Sequence, residues 1–598
     1  MKHLILFSIG PVQSFIAQAR KTHDLYAGSM LLSDLVKKAI ETIGENNLIF
    51  PKLGEAMPNR FLAEVPKAET NLQAFGERVE KAVRTEWEIN IANDALKGIN
   101  KKPDGFNEQI KGLLEIFWVI VPLESDDKYI ESVFALEKNL AAIKNIRSFS
   151  QYGWQSSIVG EQGRKCSLDG QRNVQFYRPK NGKDHSETAS PLYSTPNGVC
   201  ISTHFPDAVL QPGEGLSAVS FAKRRYQYAQ TSTFKSTAEI ALLDALDDLE
   251  KNTAGNILLK EYRKQIFSEF NAQLYLEDAL TSDFLTKQGI SFKNGYNLED
   301  ARQKRKTLQD IAEFKFQKYY AVLTFDGDDM GEWLSGKKLT DKNSLRGFQE
   351  EFAKCLADFA KFAKTRLNTG SGQTVYAGGD DFLGFVNLNH LLAVLKYLRN
   401  LFHEKVDIPL AGFKTDKISF SAGICVAHYK EPLSLVLQEA RNAQKKAKDL
   451  DKDKDALAIS VIKGSGENHI AVLPFGENSK NVERLQTLTQ TLLSEDFSNT
   501  FIKTMQLEFE RVMDFRDDRA AFEELFQTEL RRLLQRAARS SWSKEQKKQE
   551  AQTMSLMLME MLGTNSTENF FQMLHTADFF HRELDTPKEE LTKQPQTV

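Results

Sequence analysis

The chain has 598 residues, enough at roughly 150 residues per domain for about four domains. Lys plus Arg total 78 and Asp plus Glu 81, a formal net charge of −3, with 41% apolar and 27% charged residues. That balance belongs to packed globular proteins and excludes a disordered chain or one that coats nucleic acid over its whole surface. Four scattered cysteines (Cys166, Cys200, Cys355 and Cys425) form no Cys-x-x-Cys pair and no disulfide framework. The longest apolar run, near Ile116–Leu123, is too short for a bilayer. A soluble, cytoplasmic, multidomain protein without a membrane partner is expected.

Leu4–Ser8 reads as a strand, Gly10-Pro11 as a break, and Val12 to about Thr22 as a helix opened by proline. A second helix is predicted after Gly28-Ser29, with Leu31, Leu32, Leu35 and Val36 on one face. A strand at Arg60–Val65, a helix over about 70–98 and a strand at Leu114–Leu123 complete a ferredoxin-like α/β pattern over 1–148. Residues 149–312 change to Gly-, Ser-, Asn- and Pro-rich loops and amphipathic helices such as Ala238–Leu249. A second strand–helix–strand–strand–helix–strand pattern follows over 313–476. It runs from YYAVLTF through a helix at 343–367, TVYAG, DFLGFV, a helix at 388–404, KISFSAGICVAHY and the helix Leu433–Lys448 to the strand Ala456–Val461. Residues 477–598 read as helical, with a Thr-, Pro-, Lys- and Gln-rich tail. The fold class is thus α/β plus all-α regions: two ferredoxin-like units, a helical insert between them and a C-terminal helical bundle.

The chemistry concentrates at two turns of the second unit. In Tyr376-Ala377-Gly378-Gly379-Asp380-Asp381-Phe382, β-prone arms flank a Gly-Gly hairpin tip. Adjacent aspartates repel, a cost that a divalent cation removes, and the glycines let a phosphate approach the backbone. YYAVLTF runs directly into Asp326-Gly327-Asp328-Asp329-Met330-Gly331, a strand-end carboxylate before a Gly-containing turn and a helix start. In a ferredoxin-like sheet these turns are neighbours, so Asp326, Asp380 and Asp381 are expected to converge as in two-metal phosphoryl chemistry. Lys448, on the helix carrying Ala440-Arg441-Asn442-Ala443, is a candidate phosphate ligand.

The GGDD hairpin, the strand-end aspartate and the Ala-x-x-Ala-x-x-x-Ala-Lys helix resemble the palm of GGDEF-type cyclases and polymerases. In order along the chain stand FSIGPVQSFIAQARKTHDLYAGSMLLSDL, PNRFLAEV, GLSAVSFAKRR, FKSTAEIA, KYYAVLTFDGDDMGEWLSG, VYAGGDDFLGFV and ISFSAGICVAHYKEPL. Together they resemble the large palm-domain subunit of type III-B (Cmr) CRISPR effector complexes over roughly residues 4–475. The resemblance implies two palms and an RNA-activated nucleotidyltransferase with Mg2+ or Mn2+ on Asp326, Asp380 and Asp381. It also implies a nucleotide cradle of Gly327, Asp328, Asp329, Gly331, Gly378, Gly379 and Lys448. The N-terminal palm would support a second nucleotide through Gly10, Gln13, Gly28 and Ser29. ATP is the implied substrate. The acceptor is either a second ATP, giving cyclic oligoadenylate, or S-adenosylmethionine, giving a conjugate with AMP. Other Cmr subunits, guide RNA and target RNA are the implied partners.

Two departures from the family pattern matter. With the first strand starting at Leu4 and the His-Asp dipeptide, His23-Asp24, inside a palm motif, no HD nuclease domain is expected. Lys165-Cys166-Ser167-Leu168-Asp169-Gly170 has aspartate where a zinc knuckle has its second cysteine. Structural zinc is therefore not expected, although Asp169 or Cys200 is an available ligand. Gly331–Lys337 lacks the Ser/Thr of a P-loop, and Asp451–Asp455 reads as a solvated loop. Lys223-Arg224-Arg225-Tyr226, with Tyr228 nearby, is either an RNA contact or a surface charge run. Phe515–Arg539 reads as a packed helical face. The alternative function is a non-catalytic scaffold binding guide RNA and other subunits.

Overall fold

The computed structural model describes residues 2–99, 102–146, 163–179, 199–201, 205, 209–463, 468–512, 519–563 and 566–584. The first unit begins with strand β1 (Lys2–Gly10), helix α1 (Thr22–Ile43), β2 (Leu48–Phe50) and β3 (Arg60–Glu64). Helix α2 (Leu72–Thr85), β4 (Glu115–Leu123) and α3 (Tyr129–Asn145) complete it. Its sheet has the order β2-β3-β1-β4 with every neighbour antiparallel. Period-two alternation along β1 sends Ile5, Phe7 and Ile9 to the core beneath α1 and α2, and Leu4 and Leu6 to the core shared with α3.

The N-terminal helices differ from the pattern that the sequence suggests. A single turn, Gln13–Ala17, is followed by a break and then α1, so Gly28-Ser29 lies inside a helix and does not precede one. This glycine does not punctuate the chain but makes room: a Cβ on Gly28 would stand 2.7 Å from Lys223 Cε.

The described residues between 163 and 225 pack into the core of this first unit. Phe176 and Phe221 stack at 3.8 Å beside Phe106 and Phe205, and helix α4 (Ala218–Arg225) lies against α1. Residues 238–316 build a separate core around Leu249, Tyr262, Leu274 and Tyr275.

The second unit comprises β5 (Tyr319–Gly327), helix α5 (Leu345–Asn368), β6 (Gly372–Gly378), β7 (Asp381–Asn387) and α6 (Leu391–Phe402). It continues through β8 (Phe420–His428), α7 (Leu433–Lys448), β9 (Ala456–Ile462) and β10 (Asn468–Pro474), the last a strand beyond the expected pattern. The order β10-β9-β8-β5-β7-β6 contains, in β8-β5-β7-β6, the same antiparallel arrangement as the first sheet. Helix α7 makes the crossover to β9, which runs parallel to β8. Five helices follow: α8 (Lys480–Leu493), α9 (Thr500–Val512), α10 (Arg519–Ala537), α11 (Lys544–Gly563) and α12 (Thr567–Glu583). Helix α10 buries Phe522, Phe526, Leu530, Leu533 and Leu534 in a core continuous with the second sheet. No helix among the described residues is long and apolar enough to cross a membrane.

Candidate active site

Strand alternation builds the site. Phe325 faces inward between Phe382 and Phe420, with ring centroids 4.7 and 4.3 Å away, and Phe382 pairs with Phe325 in register. With these rings committed to the core, their neighbours Asp326 and Asp381 must project from the opposite face. Thr324 and Leu383, two residues away along each strand, line the same cavity as the two aspartates. The hairpin tip requires glycine at Gly379, whose φ is +66°. Gly327 N–H donates to the Asp380 carbonyl at 3.2 Å, tying the two acidic turns together.

A cavity of about 410 Å³ opens beside these carboxylates, between the two units. The second unit contributes Asp326, Asp381, Tyr376, Arg441, Gln444, Lys445 and Lys448; the first contributes Gln13 and Ser29 among apolar groups such as Val12, Ile16 and Leu32. Burial, followed by repulsion from Asp326, pushes Asp380 up to about 6. Burial, Asp380 and Asp326 raise Asp381 well above the usual carboxylate range, even though the cleft mouth leaves its side chain in contact with solvent. Burial and the same hairpin's two aspartates, Asp381 and Asp380, raise the Tyr376 hydroxyl well above its ordinary value. The carboxylates thus crowd one another enough that the hairpin pair holds protons more tightly than free aspartates do.

Lys448 Nζ contacts Asp326 Oδ2 and the Gly327 carbonyl, the latter at 3.3 Å. Its helix reaches the sheet because Gly423 of β8 lacks a side chain; a Cβ there would lie 2.1 Å from the Ala440 carbonyl. The same helix carries Arg441, a cavity residue that no sequence motif singles out. Among the described residues no hydrogen bond or ion pair to Arg441 is found, and burial lowers its pKa against the pull of Asp381. Its spacing of seven from Lys448 is the sequence signal that both share one helix face.

The DGDD turn divides its labour in a way that the motif alone does not reveal. Asp328, expected in the phosphate cradle, is 4% exposed. It accepts hydrogen bonds from Ser419 and Ser421 at 2.7 and 2.8 Å and from Asp455 N–H at 3.1 Å. Burial raises its pKa despite those bonds. Its carboxylate holds β5 to β8 and is spent on structure, not on the cavity. Asp329 takes the left-handed backbone (φ 55°) and pairs with Lys338 at 2.6 Å and with Lys454. Burial favours its neutral form, but the two lysines hold its pKa below the usual range. Lys454 and Asp455 belong to the segment expected to be a solvated loop; Asp455 is instead paired to Arg399 and Lys417. A Cβ added at Gly331 would meet no neighbour within 4 Å, whereas Gly378 leaves room for the Tyr376 hydroxyl. Gln13 and Ser29 line the cavity, while Gly10 lies beside Glu115 and Gly28 faces Lys223.

Asp326, Asp380 and Asp381 are mutually close enough to raise the proton affinity of the hairpin pair. Among the described residues no three His, Cys, Asp or Glu side chains stand ready to close on a metal ion; Lys448 occupies one oxygen of Asp326. The donor chemistry nonetheless fits a hard divalent cation: oxygen ligands whose repulsion such an ion relieves. In the knuckle-like turn, Asp169 is spent on the Gln171 and Arg172 N–H groups, both at 2.9 Å, and on the Ser217 hydroxyl at 2.8 Å.

The family model for the Cas10/Cmr2 second palm domain matches residues 319–458, and that for the N-terminal part of CRISPR-associated protein Cmr2 matches residues 4–56. Over these two stretches the chain is similar to the Cas10/Cmr2 family. The stretch that the second-palm model matches thus carries all three carboxylates and Lys448. The Cmr subunit Cmr2 of Pyrococcus furiosus is 25% identical over 582 residues, covering 79% of this chain; the chain spans 62% of that relative's length. The type III-B Cmr-beta complex solved in its apo state contains a chain of similar fold, with TM-score 0.64, 13% identity, and coverage of 98% of this chain and 82% of that one. The Cmr-beta structure bound to cognate target RNA gives TM-score 0.62 at 13% identity, with 98% and 83% coverage.

Proposed function

We propose that the chain is the nucleotidyltransferase subunit of a type III-B CRISPR complex, its two ferredoxin-like sheets acting as paired palms. Binding of target RNA to the complex switches on synthesis of an AMP-containing messenger from ATP. The observation that carries this reading is the set of repelling carboxylates: Asp326 and Asp381 line a cavity of about 410 Å³ with Lys448 and Arg441, and Asp380 adjoins them in the hairpin. A pure scaffold has no use for carboxylates held in mutual repulsion beside a cleft.

In the reaction, a ribose hydroxyl oxygen of the acceptor forms a bond to the α-phosphorus of ATP. The bond from that phosphorus to the bridging oxygen of the β-phosphate breaks, and pyrophosphate leaves. The hydroxyl proton passes to a carboxylate oxygen of Asp380 or Asp381 that is left free of the cation. Lys448 and the backbone at Gly327 stand where the triphosphate approaches the turn, and Arg441 supplies a second cation on the same helix. Asp326, Asp380 and Asp381 would hold Mg2+ or Mn2+, which supplies charge neutralisation for the phosphates. The acceptor is a second ATP or S-adenosylmethionine, set against Gln13 and Ser29 of the first unit. Cmr subunits, guide RNA and target RNA are the partners, by analogy with the solved Cmr-beta complexes. Incubating the assembled complex and matching RNA with labelled ATP, with and without S-adenosylmethionine, and weighing the products tests both activity and acceptor.

A further inference from the structure

In the basic run at 223–225, two residues are neither surface charges nor RNA contacts: Lys223 is 1% and Arg224 0% exposed. Lys223 Nζ donates to the carbonyl oxygens of Phe15, Ile16 and Gln18, the latter two at 3.1 and 2.9 Å, and lies over the Phe15 ring. Arg224 makes a two-pronged pair with Asp24 at 2.8 and 2.9 Å and also bonds Glu214 and the Val209 carbonyl. Asp24 in turn accepts from the Arg20 and Lys21 N–H groups, both at 3.2 Å. Three carbonyls at the end of the 13–17 turn are thus gathered by one amino group, whose burial pushes its pKa down to about 7 and whose polar hydrogens these carbonyls satisfy.

That turn is the cavity wall. Val12, Gln13 and Ile16, with Ser29 and Leu32 of α1, form its first-unit side. Their chemistry, apolar faces with two polar groups, suits a nucleobase and ribose. The other end of α4 is fastened by Ser217 to Asp169 of the knuckle-like turn. A strut therefore runs from that turn through α4 to the cavity.

We propose that Lys223 is a positioning residue that sets the 12–29 wall against the acceptor nucleotide or nucleoside, with Gly28 as the gap that admits it. The inference rests on the cleft being the nucleotide site. Two variants disturb the clamp from opposite sides. Lys223→Met removes the three hydrogen bonds at similar volume. Gly28→Ala places a Cβ 2.7 Å from Lys223 Cε, so a merely structural role predicts a less stable protein with KM and acceptor affinity unmoved.

The full chain in its assembled, RNA-bound complex is assayed with α-labelled ATP, with and without S-adenosylmethionine, and binding of labelled ATP and of labelled S-adenosylmethionine is measured by equilibrium dialysis. Both variants should raise KM for whichever of the two the parent uses as acceptor and weaken its binding by about tenfold, with kcat within about twofold of the parent. An unchanged KM and affinity for that acceptor in Gly28→Ala overturns the proposal, even if Lys223→Met fails to fold. So does a fall in kcat with KM unchanged. A parent complex that does not turn over ATP defeats the proposed function instead, and the dialysis arm then decides the clamp separately.

Discussion

Asp380→Asn offers the sharpest test of the site's electrostatics because stability and activity should move in opposite directions. Asp380 is pushed up to about 6 from a reference of 3.8 by burial and by Asp326. A raised carboxyl pKa means the native state holds its proton more tightly than the unfolded chain. Native stability is therefore unpenalised below about pH 4 and is lost as pH rises towards 6. The full shift corresponds to about 3 kcal/mol. Sharing with Asp326 and Asp381, and screening through the open cleft, leave about 1 kcal/mol for a single neutralisation. At about pH 7.5 without divalent ions, Asp380→Asn should raise Tm by about 2 to 4 °C in the transition of the unit that carries it. The gain should shrink as pH falls to about 5, where the parent carboxyl is largely protonated. At about pH 7.5, added Mn2+ should stabilise the parent more than the variant. A lower Tm for Asp380→Asn at the higher pH, or a gain that does not shrink with acid, refutes the reasoning.

Lys448→Met should lower ATP turnover about 10- to 100-fold, since a hydrogen bond to a charged partner is worth about 1.5–3 kcal/mol; steady-state rates at saturating ATP check this. Asp328→Ala should act on stability and leave KM unmoved: stranding the Ser419 and Ser421 hydroxyls and the Asp455 N–H costs about 2–3 kcal/mol in denaturant unfolding. Gly423→Val should cost about 1–3 kcal/mol by overpacking. It should also reduce turnover, because Arg441 and Lys448 ride on the displaced helix α7.

The second unit's strands and helices are legible in the sequence because their periodicities are strong: the helix Leu433–Lys448 has the ends that its pattern implies, and the GGDD tip shows the positive φ that its glycine implies. Three features are not legible. Gly28 serves a contact with a residue 195 positions later, which no local pattern encodes. The basic run at 223–225 looks like surface because its partners, Asp24, Glu214 and three backbone carbonyls, are remote in sequence or carry no side-chain signal. Within DGDD, identical side chains take different tasks because the strand ends at Gly327 and the chain turns, so alternation no longer says which carboxylate faces the cleft. Asp328 turns to Ser419 and Ser421, and Asp329 to Lys338 and Lys454.

The central claim, that the carboxylates of β5 and the β6–β7 hairpin transfer a nucleotidyl group, is tested most directly with Asp380→Ala/Asp381→Ala. The assembled complex, matching target RNA and α-labelled ATP are followed for labelled product and pyrophosphate. The account predicts that the parent converts ATP only when target RNA is present, and that the double variant assembles normally but makes no product. Product formation by the double variant would contradict it.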